Sequence, residues 1–395
     1  MSTSDAVPRA GEVFEYAQRE IHRAATDLWP GTVVRLDEHV PSVTGYVLRV
    51  SVGDRVLFAK YSFLGVSLVS LLRGVYGGWP QVQQAQASYV LQADSLPARE
   101  TAQLRFLGEL GRPKVCVVAG MGRGVMFTEP VGGPTLAGLL LACSHDTAEL
   151  MESAYGELGG LHRHHSTRSL SPYGVIRERS IPGTFRRKFG GTVGARYVNE
   201  LRARPGSPAG HELAFVLGQV VARLQRRAAL PQTGERSVLV YGELKPEHVL
   251  FPDGPGARPV FIDPGLLRAR AAVDTAKLIS RTVLLLAAYR PGHEAARQVS
   301  EGLAAFADTQ MRSLPGAETR EWLHELVVLW LMDTVNILIT YLAAPSGLPL
   351  PVQGQELVRR AAVVLAMVDA VSLRLATDPQ RAWDDALGLA QEMGR

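Results

Sequence analysis

The sequence predicts an α+β chain of two lobes, a small β-rich N-lobe followed by a large helical C-lobe. Three observations lead there. The chain has 395 residues, too many for one small core and suited to two packed bodies. Strand-like, turn-punctuated segments gather between residues 32 and 128, whereas the chain after Thr135 is largely helical. Strands and helices segregated in this way follow the α+β plan.

Residues 11–29 carry helical spacing, and Pro30-Gly31 stops them, so residues 1–30 read as an N-terminal helical extension. Thr32–Leu36, Gly45–Val52 and Arg55–Tyr61 are β-rich, with Gly53-Asp54 as a hairpin signal. Residues 63–95 form an insertion in a lobe that spans 31–131. Pro97–Gly111 is a helix with a stripe of Leu104, Leu107 and Leu110. Lys114–Ala119 and Gly124–Thr128 are expected strands, and Pro130–Pro134 is the linker between lobes. The second lobe covers 132–395. It opens on a helix at Asp146–His164 and carries a basic insertion at 166–235 with a helix at His211–Arg227. Short strands follow at Val238–Tyr241, Val249–Phe251 and Val260–Ile262, and helices dominate from Val273 onward.

Composition narrows the class. Apolar residues make up 46% and charged residues 20%, which excludes a disordered chain. Net charge is only +4, yet Arg168 to Arg227 holds twelve Lys/Arg against Glu178, Glu200 and Glu212. Such a surface attracts phosphates or acidic peptides, or is simply a solvated face. Cys116 and Cys143 cannot form a disulfide framework and sit in no metal-ligand pattern. The N-terminus, with Asp5, Glu12, Glu15 and Glu20, lacks the plan of a signal peptide, and a cytoplasmic protein is expected. Leu326–Ala344 carries Asp333 and Asn336 in its middle, so it reads as a buried helix rather than a membrane span. No nucleic-acid partner is expected.

The sharpest signal is Tyr241-Gly242-Glu243-Leu244-Lys245-Pro246-Glu247-His248-Val249-Leu250-Phe251, followed by Phe261-Ile262-Asp263-Pro264-Gly265. An acidic residue stands on a tight loop, a polar ligand follows five positions later, and an Asp closes a later strand. A rigidly held Asp263 suits a magnesium ion shared with substrate phosphates, with His248 as second ligand. Glu243 is placed to orient an attacking hydroxyl and accept its proton. His162, His164 and His165 form no complete ligand set and are expected to be exposed. Asp333 is expected to be a buried, hydrogen-bonded carboxylate.

This stretch resembles the catalytic loop and metal-binding motif of the protein-kinase-like superfamily, especially its aminoglycoside-phosphotransferase branch. Other pieces are similar in order and spacing. Leu57-Phe58-Ala59-Lys60 looks like the strand whose Lys holds the ATP phosphates, and Arg99-Glu100 like the carboxylate that pairs with it. Phe127–Leu136 looks like the hinge between lobes, with Glu129 and Val131 beside the nucleotide. No Gly-x-Gly-x-x-Gly loop is present, so Ser42 and Thr44 would cover the phosphates. The resemblance spans about residues 32–265. It implies a bilobal kinase-like fold, ATP and Mg2+ as cofactors, and transfer to a hydroxyl.

The departures are Tyr241, Glu243 and His248, where the family commonly has His, Asp and Asn. Lys245 stands two residues after the acid, as in the Ser/Thr protein-kinase branch, where it touches the transferred phosphate. With the Arg-rich insertion this favours a peptide Ser/Thr acceptor. The pattern looks like the phosphotransferases of class V lanthipeptide and thioamitide biosynthesis, where phosphorylation precedes elimination by a partner lyase. A small-molecule, aminoglycoside-like antibiotic kinase and a pseudokinase scaffold remain as alternatives.

Overall fold

Gly53-Asp54 turns between two strands whose inward residues alternate, and the small lobe grows from that hairpin. The computed structural model describes residues 7–163, 174–190, 197, 199, 208–227, 237–312 and 314–395. Asp5, His164, His165 and, within the basic segment, 166–173, 191–196, 198, 200–207 and 228–236 lie outside the described residues.

The small lobe runs α1 (Ala10–Leu28), β1 (Val34–Val40), β2 (Tyr46–Val52), β3 (Arg55–Tyr61), α2 (Leu68–Leu72), α3 (Trp79–Tyr89), α4 (Leu96–Leu110), β4 (Val118–Gly122) and β5 (Val125–Thr128). Its antiparallel sheet has the order β1-β2-β3-β5-β4. Side chains alternate across such a sheet. Tyr46, Leu48 and Val50 of β2 and Leu57, Ala59 and Tyr61 of β3 are buried on one face. Helix α1 covers that face with Val13, Ala17, Ile21 and Ala24, and Gln18 donates to the Tyr46 hydroxyl at 2.9 Å. Lys60 therefore emerges on the opposite face, toward α4 and the second lobe. The 63–95 insertion is the pair α2 and α3. Trp79 packs edge-on against Tyr16 of α1, and Gln86 donates to the Ser62 carbonyl at 3.0 Å.

The large lobe follows with α5 (Leu136–Ala142), α6 (Thr147–Glu157), α7 (Gly159–His162), α8 (Ile181–Phe189), α9 (Pro208–Arg227), β6 (Val238–Val240), β7 (Val249–Leu250), β8 (Val260–Phe261) and β9 (Leu267–Ala269). Then come α10 (Ala272–Tyr289), α11 (His293–Met311), α12 (Gly316–Leu342), α13 (Val352–Arg359), α14 (Ala361–Arg374) and α15 (Pro379–Met393). Helix α10 is buried along almost its whole length and α12 from Trp322 onward, and the two pack on each other as the floor of the lobe. Helix α12 is long and apolar enough to cross a bilayer, but its side chains pack inside the lobe.

Three expectations need correction. Lys114–Ala119 does not run as one strand. Phe261 N–H donates to the Lys114 carbonyl at 2.8 Å and Cys116 N–H to the Phe261 carbonyl at 3.0 Å, so its first half pairs with the large lobe and β4 begins only at Val118. The Asp146–His164 helix breaks at Leu158, where Gly159-Gly160 weakens helix propensity. Strand β9 was not expected, because Leu267–Ala269 has no β-branched residue; its pairing with β6 decides its conformation.

Candidate active site

Strand β3 and helix α4 bring the first pair together. Lys60 Nζ donates to Glu100 Oε1 at 3.0 Å, with Glu100 almost fully buried. Lys60 also pairs directly with Asp263 at the end of β8. Asp263 has φ +61°, a left-handed conformation that a non-glycine residue rarely adopts. Such strain persists where the surrounding structure imposes it and clusters at functional sites. Burial alone would raise the Asp263 carboxyl, but Lys60 and then Arg179 hold it far below the usual range.

Arg179 carries no signal in the sequence that marks it. Its guanidinium pairs with Glu100, donates to the Pro264 carbonyl at 3.1 Å and lies 3.8 Å from Asp263 Oδ1. Lys60 and Arg179 thus share the same two carboxylates.

The loop carrying Glu243 is fixed from below. The amides of Tyr241 and Gly242 donate to Asp274 of α10 at 2.8 and 2.7 Å, and His162 Nε2 lies 3.0 Å from the same carboxylate. His162 is therefore a half-buried partner of Asp274, which corrects the expectation of an exposed histidine. Gly242 has φ +77°, and a Cβ there would meet the Gly265 carbonyl at 2.2 Å, so only glycine fits this turn.

Glu243 faces cations on both sides. Lys245 Nζ lies 2.7 Å from its Oε2 and Lys277 Nζ 2.9 Å from its Oε1. Lys277 continues to Asp333 Oδ1 at 3.8 Å, and Asp333 accepts from Arg281 Nε at 2.7 Å and Ser280 Oγ at 3.0 Å. Burial would push the Glu243 carboxyl up; Lys245, Lys277 and Arg179 overcome it and hold it well below the usual range. The carboxylate is thus ionised, suited to accept a hydrogen bond from a hydroxyl and weak as a proton sink. Asp333 is the buried carboxylate expected from its apolar helix. Asp274, Lys277 and Arg281 share one face of α10 by their spacing of three and four. Charges recurring at helical period inside an apolar run were the available signal for them.

A divalent cation is tested by the donors present. His248 Nδ1 is buried, has no hydrogen-bond partner among the described residues, and lies 3.8 Å from Asp263 Oδ2. Burial first, and Lys245 next, push the imidazole down to about 3, so its nitrogen lone pair is free. The Asp263 carboxylate fits a magnesium ion whose remaining ligands are phosphate oxygens and water, with the His248 imidazole as a softer donor beside it. No group of three His, Cys, Asp or Glu that could hold a metal exists among the described residues.

The other sequence-derived positions lie around this centre. Ser42 and Thr44 occupy the exposed β1–β2 loop, their hydroxyls 3.2 Å apart, and the position of a Cβ on Gly45 would lie 4.0 Å from Lys60 Cε. Val131 packs with Leu104, Cys116, Met126 and Ile262 on the wall between the lobes. The Glu129 side chain turns outward to Arg55 at 3.3 Å, and its amide is taken by the Val117 carbonyl at 2.9 Å. Its own carbonyl is what it can offer a ligand.

No family model matches the chain, and no curated protein matches its sequence. Solved structures match its shape. An ethanolamine kinase of Plasmodium vivax aligns with a TM-score of 0.50 at 13% identity, over 92% of this chain and 90% of that one. A choline kinase from Cryptosporidium parvum Iowa II aligns with a TM-score of 0.48 at 11% identity, over 91% of this chain and 97% of that one. An aminoglycoside-3'-phosphotransferase of type VIII aligns with a TM-score of 0.43 at 23% identity, over 80% of this chain and 99% of that one. The small antiparallel sheet, the mostly helical remainder and the match to the ethanolamine kinase give this chain a bilobal kinase-like α+β fold.

Proposed function

We propose that this chain is an ATP- and magnesium-dependent phosphotransferase that phosphorylates a hydroxyl in the cytoplasm. The 31–131 lobe would hold the nucleotide and the 132–395 lobe the acceptor. The observation that carries the reading is the convergence of Lys60, Glu100 and Asp263 with a carboxylate, Glu243, on a loop anchored by Asp274. In the transfer the acceptor oxygen bonds to the γ-phosphorus while the bond to the β–γ bridging oxygen breaks, leaving its electron pair on ADP. Glu243 orients the hydroxyl and, being a weak base, takes its proton only as the bond to phosphorus forms and makes that proton acidic. Lys60 holds the α/β-phosphates. Asp263 and His248 would hold the divalent cation, which neutralises phosphate charge when bound. Lys245 stands beside Glu243 to meet the phosphoryl group.

The favoured acceptor is a Ser/Thr hydroxyl of a precursor peptide in natural-product biosynthesis, phosphorylated before a partner lyase eliminates it to a dehydroamino acid. Lys245 and the Arg-rich segment support that choice over a cationic small molecule. A second reading, a scaffold that binds nucleotide without turnover, is favoured by the double hold of Lys245 and Lys277 on Glu243. The test is a thermal-shift titration with ATP and magnesium, then mass spectrometry of Ser/Thr peptides and small alcohols incubated with ATP. Phosphopeptide supports the first reading, and phosphorylated alcohol alone moves the acceptor to a small molecule. ATP binding with no product moves the scaffold to first place, and no ATP binding overturns the site.

A further inference from the structure

We propose that Arg179 is a catalytic residue that grips the phosphoryl group in transit; this rests on the phosphotransferase reading above. Arg179 ends the short turn Arg177–Arg179 just before α8. Its segment is held at three places. Arg99 of α4 pairs with Glu178 and donates to the Val175 carbonyl at 3.1 Å. Ile176 N–H donates to the Leu266 carbonyl at 3.0 Å, behind Asp263. Asn336 of α12 donates to the Ile181 carbonyl at 3.2 Å. Arg179 is thereby fixed between the small lobe, the Asp263 loop and the floor of the large lobe.

Its position relative to Glu243 follows from Gly265. A Cβ on Gly265 would meet Glu243 Cγ at 2.8 Å and Arg179 Cδ at 3.3 Å, so both side chains pass over that glycine. The guanidinium pairs with Glu100, lies 3.8 Å from Asp263 Oδ1 and is close enough to Glu243 to feel its charge. Lys60 approaches Asp263 from β3; Arg179 approaches it from the side of Glu243. The transferred phosphorus must pass between the carboxylate that holds the cation and the one that orients the hydroxyl.

Charge balance shows what would draw the guanidinium onto that phosphorus. Glu100 and Asp263 neutralise Lys60 and Arg179. Were Asp263 to hold a divalent cation, one of those partners would be taken and positive charge added. Triphosphate oxygens are the anions that restore the balance. Lys60 meets the α/β-phosphates, and the planar fork of Arg179 suits the non-bridging oxygens of the γ-phosphoryl group. While the acceptor oxygen bonds and ADP departs with its electron pair, charge stays spread over those oxygens, and an arginine supplied from the same chain stabilises it. A purely structural Arg179 would only tie α4 to the Asp263 loop.

The experiment compares ADP affinity with ADP plus aluminium fluoride affinity, both with magnesium, in wild type, Arg179→Lys and Arg179→Met. Aluminium fluoride mimics the phosphoryl group in flight and requires no acceptor. Wild type should bind ADP more tightly when the fluoride is added. In both variants ADP affinity should stay within about threefold of wild type, while the gain from fluoride falls by about 1,000-fold, the low end for an arginine of this kind. Arg179→Lys keeps the charge, and a melting curve checks its fold. Retention of the full gain in Arg179→Lys and Arg179→Met overturns the proposal, as does an equal loss of both affinities, which marks a structural tie. Wild type that binds ADP without any gain also overturns it and leaves the nucleotide site standing. Wild type that binds no ADP overturns the phosphotransferase reading itself.

Discussion

The two sides of the cleft are built from the same kinds of ion pair yet are closed differently. On the nucleotide side, Lys60 and Arg179 share Glu100 and Asp263, and the cations come from β3 and from the turn before α8. On the acceptor side, Lys245, Glu243, Lys277, Asp333 and Arg281 form a chain that ends inside two packed helices. On the proposed function the first set would hand its cations to phosphates. In the second only Lys245 stands where it could turn to a phosphoryl group, because α10 and α12 bury Lys277 and Asp333. One side is arranged to rebind, the other to hold Glu243 in place.

The largest expected effect breaks the nucleotide side. Asp263→Asn removes the charge that would hold the cation, and phosphoryl transfer should fall by about three orders of magnitude. ATP-coupled product formation at saturating magnesium measures it, and near-wild-type turnover would remove Asp263 from the mechanism.

Next is a test of the closed side. Lys277→Met leaves Glu243 and Asp333 short of a buried partner and should cost about 3 kcal/mol of stability, as broken buried pairs do. Lys60→Met should cost less than half of that, because the Lys60 side chain is 14% exposed against 4% for Lys277, and water screens the more exposed pair. Urea unfolding of the two variants compares the sides directly, and equal costs would erase the distinction.

Glu243→Gln keeps the shape of the side chain and loses its charge. Turnover should fall by about 100-fold with ATP affinity little changed, since the group meets the acceptor. Glu243→Asp sharpens this. The Lys245 and Lys277 contacts are set for the longer side chain, so Asp should also lose activity; a gain would mean that the loop still has the geometry of a shorter acid. Single-turnover rates decide between the two.

The last effect concerns pH and is small over any single unit. Lys188 of α8 donates to the Asn336 carbonyl at 2.5 Å and to the Thr340 hydroxyl. Burial pushes its ammonium down to about 7 from near 10.5; Asp333 opposes this, and Arg281, Arg187 and Arg73 add to it. Between those values the unfolded chain keeps a proton that the native chain has released. Stability from this group therefore rises with pH from about 7 toward 10, by at most about 1.4 kcal/mol per unit, and is flat below 7. The stability difference between wild type and Lys188→Met, followed by urea unfolding from pH 6 to 9, should show that rise. Parallel curves would place the Lys188 proton elsewhere.

Much of this architecture is readable in the chain itself. The alternation in Tyr46–Val52 and Arg55–Tyr61 determines which strand face is apolar, and so puts Lys60 on the other one. Pro30-Gly31, Gly53-Asp54 and the Pro130–Pro134 linker punctuate the chain through local backbone chemistry, which needs no distant partner. The order Glu243, His248, Asp263 is legible because a tight loop and a strand end hold short-range geometry. What could not be read depends on contacts far apart in sequence. Arg179 meets Glu100 across 79 residues, Asp333 meets Arg281 across 52, and His162 meets Asp274 across 112. A lone charge in a basic turn or an apolar helix has the same local signature whether it is solvated or paired. Only the packing of α4, α8, α10 and α12 decides which, because burial makes an unpaired charge too costly to leave without a partner.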